Sequence, residues 1–67
     1  MKRFSPIKAK EARLALGLTQ RQVADQLAFT VTAVSCWEGG TRTPNLGTFC
    51  TLAAILRVEP GELLEEA

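Results

Sequence analysis

The side chains able to do chemistry in this chain are eight lysines and arginines, seven acids and two thiols, with no histidine. That inventory suits charge pairing and anion binding better than catalysis. The acids are scattered, no base stands ready for a nucleophile, and no glycine-rich phosphate loop follows a strand, so an enzyme is not expected. With Cys36 and Cys50 as the only sulfur ligands and no histidine, no zinc set exists and no cofactor is implied. The two thiols could pair arithmetically, but a reduced compartment would keep both free. The charges are unevenly placed. Lys2, Arg3, Lys8, Lys10, Arg13, Arg21, Arg42 and Arg57 precede Val58 with only Glu11, Asp25 and Glu38 among them, a balance of +5. The last nine residues hold Glu59, Glu62, Glu65 and Glu66, a balance of −4. A basic body with an acidic end permits one face to attract phosphate while the other is turned away; an ordinary solvated surface is the alternative. Phosphate would be met best by a flexible basic loop or a helix N-terminus. Thr41, Arg42 and Thr43 form such a loop, with the N–H groups of Gly39 and Gly40 expected to be free beside it. A loop whose glycines merely end a helix remains the other reading.

The elements that must position these groups can be read from punctuation and spacing. Ser5-Pro6 is an N-cap with proline at the first helical position, and Gly17 is a left-handed terminator, so a first helix is expected from about Pro6 to Leu16 with its alanines and Leu16 inward. Thr19-Gln20-Arg21-Gln22 is a capping-box pattern opening a second helix to about Leu27. Thr30 caps a third, from Val31 to about Glu38. After a loop through Pro44, Asn45 caps a fourth, whose Leu46, Phe49, Cys50, Ala53 and Leu56 follow helical spacing. Cys50 is expected to be buried there. Glu59-Pro60 opens a short acidic last helix over about 60–66, containing Leu63 and Leu64. No β alternation, repeat or low-complexity tract competes, so the expected fold is all-α, five helices in a single domain over residues 1–67. Such a short chain buries only about 60% of its unfolded surface, so a partner subunit would help it. Met1 stands first and no apolar stretch nears a membrane span, so the chain is expected to be cytoplasmic, with no membrane contact.

Residues 20–39 carry the strongest pattern. Val23 and Leu27 share one helical face, Val34 and Trp37 share another, and Ala24 is small enough to let the second helix cross close above the first. Together with Gly17-Leu18-Thr19-Gln20, Ser35-Cys36-Trp37-Glu38-Gly39-Gly40, Thr41-Arg42-Thr43-Pro44, Leu46, Leu52-Ala53, Leu56 and Val58, this pattern resembles the lambda-repressor and Cro type of helix-turn-helix, the Xre family. The resemblance covers nearly the whole chain. It departs at Ala28, where the family's turn usually has glycine, and at Phe29, bulkier than the usual valine. A non-glycine residue held left-handed at the turn would cost on the order of 1 kcal/mol.

The resemblance implies a compact five-helix domain that binds double-stranded operator DNA, usually as a two-fold dimer, to control transcription. It places Val31, Thr32, Ser35 and Cys36 at the base-reading positions of the recognition helix. None of these is Arg, Lys, Asn or Gln, so the bidentate contacts to guanine or adenine are missing, and thymine methyls, DNA shape or bridging water must supply the discrimination. Gln20 matches a phosphate-gripping position, participation in the cap being the alternative, and Arg21 and Thr30 join Thr41, Arg42 and Thr43 as phosphate contacts. The resemblance also pairs Arg13 with Glu38, a structural bridge, and puts Trp37 in the core. Cys36, expected on the DNA face, could serve as a redox switch or simply as a small packing residue. Dimerisation is expected through Leu63 and Leu64, which would set two recognition helices about one turn of DNA apart on a pseudo-palindromic operator. The regulator read this way is a repressor. An antitoxin-like or co-regulator module acting through a protein partner is the alternative, and the uncharged reading face suits it.

Overall fold

A computed structural model describes residues 1–67. Four α-helices form where the local capping chemistry directs: α1 (Pro6–Ala15), α2 (Gln20–Leu27), α3 (Val31–Gly39) and α4 (Leu46–Ile55). At each start the N-cap side chain accepts the N–H three residues on: Ser5 from Lys8, Thr19 from Gln22, Thr30 from Ala33 and Asn45 from Thr48. Each such cap satisfies a donor that would otherwise be left over and is worth about 1 kcal/mol. Gln22 completes the capping box by accepting the Thr19 N–H at 2.8 Å. α1 ends one residue before the expected limit, followed by Gly17 at φ +70°. No helix is long and apolar enough to cross a membrane.

The C-terminal segment departs from expectation. Pro60–Leu63 is a 3₁₀ turn, and Leu64–Glu66 is a strand, β2, antiparallel to β1 (Lys2–Phe4) with Lys2 opposite Glu66, Arg3 opposite Glu65 and Phe4 opposite Leu64. The fold is therefore mostly helical, with four α-helices and a two-stranded sheet, rather than all-α with five. The physical reason lies in pairing over distance: β1 carries two cations and an aromatic, β2 two carboxylates and a leucine, and the register matches each with its complement. Arg3 donates to Glu65 at 2.9 Å and Lys2 lies 3.1 Å from Glu66. The Ser5 hydroxyl and the Arg3 guanidinium lower the pKa of the Glu65 carboxyl. The acidic end is thus folded onto the basic N-terminus and does not form a separate face.

Between these parts lies a core in which Ala9 of α1, Val23 and Ala24 of α2, Val34 and Trp37 of α3, and Leu52, Ala53 and Leu56 of α4 are closed off by Leu63. Ala24 is 1% exposed, consistent with α3 crossing close over it. Burying each large aliphatic is worth roughly 1.5–3 kcal/mol. Leu63, expected at a dimer interface, is itself 1% exposed within one protomer, because the Ser5 N–H to Leu63 C=O bond at 2.8 Å draws the turn inward. Leu16 is exposed. So is Cys50, because Phe49, Leu52, Ala53 and Leu56 take the inward face of α4.

Candidate nucleic-acid interface

α2, the turn and α3 form the helix-turn-helix. Ala28 ends α2 at φ 59°, ψ 36°, so the left-handed turn is made without glycine. Phe29 next to it lays its ring against Trp37, edge to face at 5.4 Å, while Trp37 is core at 5% exposure. The larger side chain at position 29 is thereby accounted for: it covers the indole.

Of the four side chains assigned to base reading, Thr32 and Ser35 are exposed and stand three apart on one face of α3. Val31 and Cys36 are half-buried, and Val31 packs against the core. Cys36 is therefore less open than expected, and the chain leaving α3 turns back to close the helix at its carbonyl. There the N–H of Thr41 donates to the Cys36 carbonyl at 3.0 Å and that of Gly40 to Trp37 at 3.3 Å. The Gly40 amide, expected to be free for phosphate, is engaged in closing the helix. Gly40 is needed for another reason: its φ is +82°, in the left-handed region that glycine adopts without strain.

Thr41, Arg42 and Thr43 are exposed beyond α3, and Arg21 is exposed at the start of α2. Neither arginine has a carboxylate partner, whereas Lys2, Arg3 and Arg13 are all spent on glutamates. Arg21 and Arg42 are thus left for an anion at the two ends of the helix-turn-helix, while Lys8, Lys10 and Arg57 are exposed without a carboxylate elsewhere on the surface. Thr30 keeps its hydroxyl hydrogen for an anion, since the cap uses only its oxygen, as acceptor from Ala33 at 3.1 Å.

Behind this face a buried clasp fixes α3. Arg13 Nε and Nη2 donate to Glu38 Oε2 and Oε1 at 2.7 and 2.9 Å, and Arg13 Nη1 donates to the Leu18 carbonyl at 2.8 Å. The carboxylate raises the pKa of Arg13 through that hydrogen bond, so the guanidinium stays charged. Gln20 Nε2 supplies a third donor to Glu38, at 3.1 Å. This last contact was not anticipated from sequence: the cap belongs to Thr19 and Gln22, which leaves the Gln20 side chain free to turn toward α3. The one signal available was that a capping box needs the glutamine at Gln22 and leaves Gln20 without that role.

The comparisons with known proteins agree with this geometry. Residues 10–63 match the family described as Helix-turn-helix. The chain is similar to the HTH-type transcriptional activator BcrR of Enterococcus faecalis, with 37% identity over 57 residues. Those residues are 85% of this chain and 28% of that protein, so the chain spans less than a third of its relative's length. In structure it is similar to the restriction-modification controller protein C.AhdI of Aeromonas hydrophila, with a TM-score of 0.81 and 33% identity, covering 87% of this chain and 88% of that one.

Proposed function

The chain belongs to the helix-turn-helix family, of the Xre type, and on that premise we propose that it is a sequence-specific regulator of transcription that docks α3 in the major groove of double-stranded DNA. The observation that carries the reading is the arrangement of the exposed Thr32 and Ser35 between two unpaired cationic ends, Arg21 and the Thr41–Thr43 loop. Arg21, Thr30 and Arg42 hold phosphates on either side of the groove, and Thr32 and Ser35 meet base edges through hydroxyls and the Thr32 methyl. With no bidentate side chain at these positions, part of the discrimination comes from DNA shape and bridging water. The role is not catalytic, and its place is the cytoplasm, with the DNA.

The regulator acts as a homodimer on a pseudo-palindromic operator. Since Leu63 is interior, the surface offered to a second copy is Leu64 with its neighbours Phe4, Pro44, Leu46 and Phe49, of which Leu46 is 76% exposed. Leu46→Glu should therefore give a monomer by sedimentation with the helical content kept. Repression follows where the operator overlaps a promoter. The activator named among the relatives makes the opposite sign an outcome that a reporter carrying the selected operator would reveal.

The test is selection of bound fragments from random duplex DNA at near-physiological salt. The expected result is an inverted repeat with half-sites about 10 base pairs apart. On the selected site Arg42→Ala should weaken every sequence about equally and lower the salt slope by about 1, while Thr32→Ala should change base preference. Retention without enrichment would reduce the protein to a phosphate-driven binder. No retention would favour the protein-interaction module, which the uncharged face of α3 also suits.

A further inference from the structure

Leu16 and Leu18, on either side of Gly17, and Ile55 of α4 line a groove of about 430 Å³ to which α3 contributes no residue. Leu16 is 39% exposed, so its apolar surface belongs to the groove and not to the core. The polar part of the wall is Gln26 of α2, Thr51 of α4 and Arg57. Thr51 donates its hydroxyl hydrogen to the Gly47 carbonyl at 3.1 Å and offers the groove only lone pairs. Gln26 is exposed and stands outside the capping box, which Thr19 and Gln22 form, so the hydrogens of its carboxamide are open to a ligand. Arg57 is exposed and meets no carboxylate, and no acid lines the groove. Its main chain is held just past α4 by two bonds, from its own N–H to the Ala54 carbonyl at 3.1 Å and from the Val58 N–H to that of Ala53 at 3.0 Å. The root of the guanidinium is thereby fixed beside an apolar wall.

We propose that this groove is a binding site for a small amphipathic monocarboxylate, its anion on Arg57 and Gln26 and its apolar body on Leu16, Leu18 and Ile55. The sign follows from the wall: one cation without a counterion and no acid beside it attract an anion. The planar guanidinium fork matches the two oxygens of a carboxylate. A single cation balances a single negative charge, so a monocarboxylate is matched and a phosphate dianion is not. The apolar half of the wall gains only from a ligand with a hydrocarbon part, because burying that surface is what stabilises the complex. The volume lies at the small end of the range for small-molecule sites, about 300–1,000 Å³. None of the residues assigned to DNA lines the groove, so the inference stands apart from the DNA-binding reading and survives its failure. It gives α2, the first helix of the helix-turn-helix, a ligand contact that α3 does not share.

The test follows the methyl groups of Leu16, Leu18 and Ile55 and the side-chain amide of Gln26 by NMR while octanoate is added to the full chain. The expected result is a saturating shift centred on these groups, with a midpoint of about 1 mM, the scale for a ligand of this size. Octanamide, the neutral analogue, should bind about fivefold more weakly, and so should octanoate to Arg57→Gln, the worth of one exposed charge pair. Arg57→Lys keeps the charge without the fork and should bind between the two. Arg57 is exposed, so both variants should keep the amide spectrum of the core unchanged. Equal binding of octanoate and octanamide would overturn the anion site. Shifts that fall instead on Phe4, Leu46, Phe49 and Leu64, the other apolar surface, would overturn the groove. Shifts that grow without saturating would mean an adventitious additive only. Groove resonances that move with protein concentration before any octanoate is added would show a second copy covering the groove, and would overturn the proposal as well.

Discussion

Arg13–Glu38 and Arg3–Glu65 are both guanidinium–carboxylate contacts, at 2.7 and 2.9 Å, yet they belong to different parts of the molecule's design. In the first the side chains are 9% and 7% exposed; in the second they are 63% and 29% exposed. The first closes a clasp whose carboxylate receives three N–H donors and which joins α1, α2 and α3. The second belongs to a terminal ribbon with water on its outer side. Water screens the ribbon pairs and leaves them a small net contribution, whereas a buried pair cannot lose one member without stranding the other. The protein thus places its costly interaction where a recognition helix needs a fixed orientation, and its weak ones where the chain ends are only tied down.

The sharpest way to break that comparison is Glu38→Ala. It strands the Arg13 charge and should cost about 3–5 kcal/mol. A chain of 67 residues has a total stability of about 3–10 kcal/mol, so much of the population should be unfolded in a urea titration. Glu38→Gln also removes the countercharge but keeps one accepting oxygen where Glu38 has two, and should lose less than the alanine variant. If Glu38→Ala instead cost no more than a surface substitution, the clasp would have no privileged role.

Leu63→Ala tests the joint between the two regions. Leu63 is 1% exposed and carries the carbonyl that receives the Ser5 N–H. A cavity there should cost about 2–5 kcal/mol, measured again by urea, and should loosen β2 first because the strand follows directly. A stability loss with unchanged amide protection in Lys2–Phe4 would show that ribbon and core are less closely joined than the geometry indicates.

The turn between α2 and α3 provides a smaller effect of opposite sign. Ala28 and Arg57 both hold positive φ, at 59° and 60°. Left-handed backbone costs a non-glycine residue roughly 1–2 kcal/mol, while glycine loses more entropy on folding by about 0.5–1. Ala28→Gly and Arg57→Gly should each raise stability by no more than about 1 kcal/mol. A fall at Ala28 alone would mean that its methyl contributes contacts that offset the strain.

These contrasts also explain which parts were legible in the sequence. The caps at Ser5, Thr19, Thr30 and Asn45 were readable because a cap is a contact over three residues, decided locally. The Arg13–Glu38 contact, which the family resemblance suggested, joins residues 25 apart, and Gln20–Glu38, which nothing suggested, joins residues 18 apart. The ribbon was illegible for the same reason in stronger form. Each strand is three residues, too short to show alternation, and its partner lies at the other end of the chain. Leu63 was read as an interface residue because an apolar residue near a chain end has no local signal of the direction in which it will dock. In the site, Thr32 and Ser35 face outward as a helical repeat requires, but the closing of the Cys36 carbonyl by the N–H groups of Thr41 and Arg42 is a feature that periodicity within α3 cannot reveal.

The smallest expected effect is a pH dependence confined to the ribbon. The Ser5 hydroxyl and Arg3 hold the folded Glu65 carboxyl below its ordinary value. A carboxyl with a lowered folded pKa binds protons more readily when unfolded, so its contribution is complete above the unfolded value of about 4.3 and disappears as pH falls through the lower folded value. Acidification through that range should therefore loosen β1 and β2, seen as faster amide exchange in Lys2–Phe4 and Leu64–Glu66. Raised salt at neutral pH should weaken the same exposed pairs by screening, and should leave the buried clasp nearly untouched. In Glu65→Gln this acid dependence should be reduced. An identical profile in that variant would mean that the acid dependence does not come from Glu65, and that its contact with Arg3 contributes register without strength.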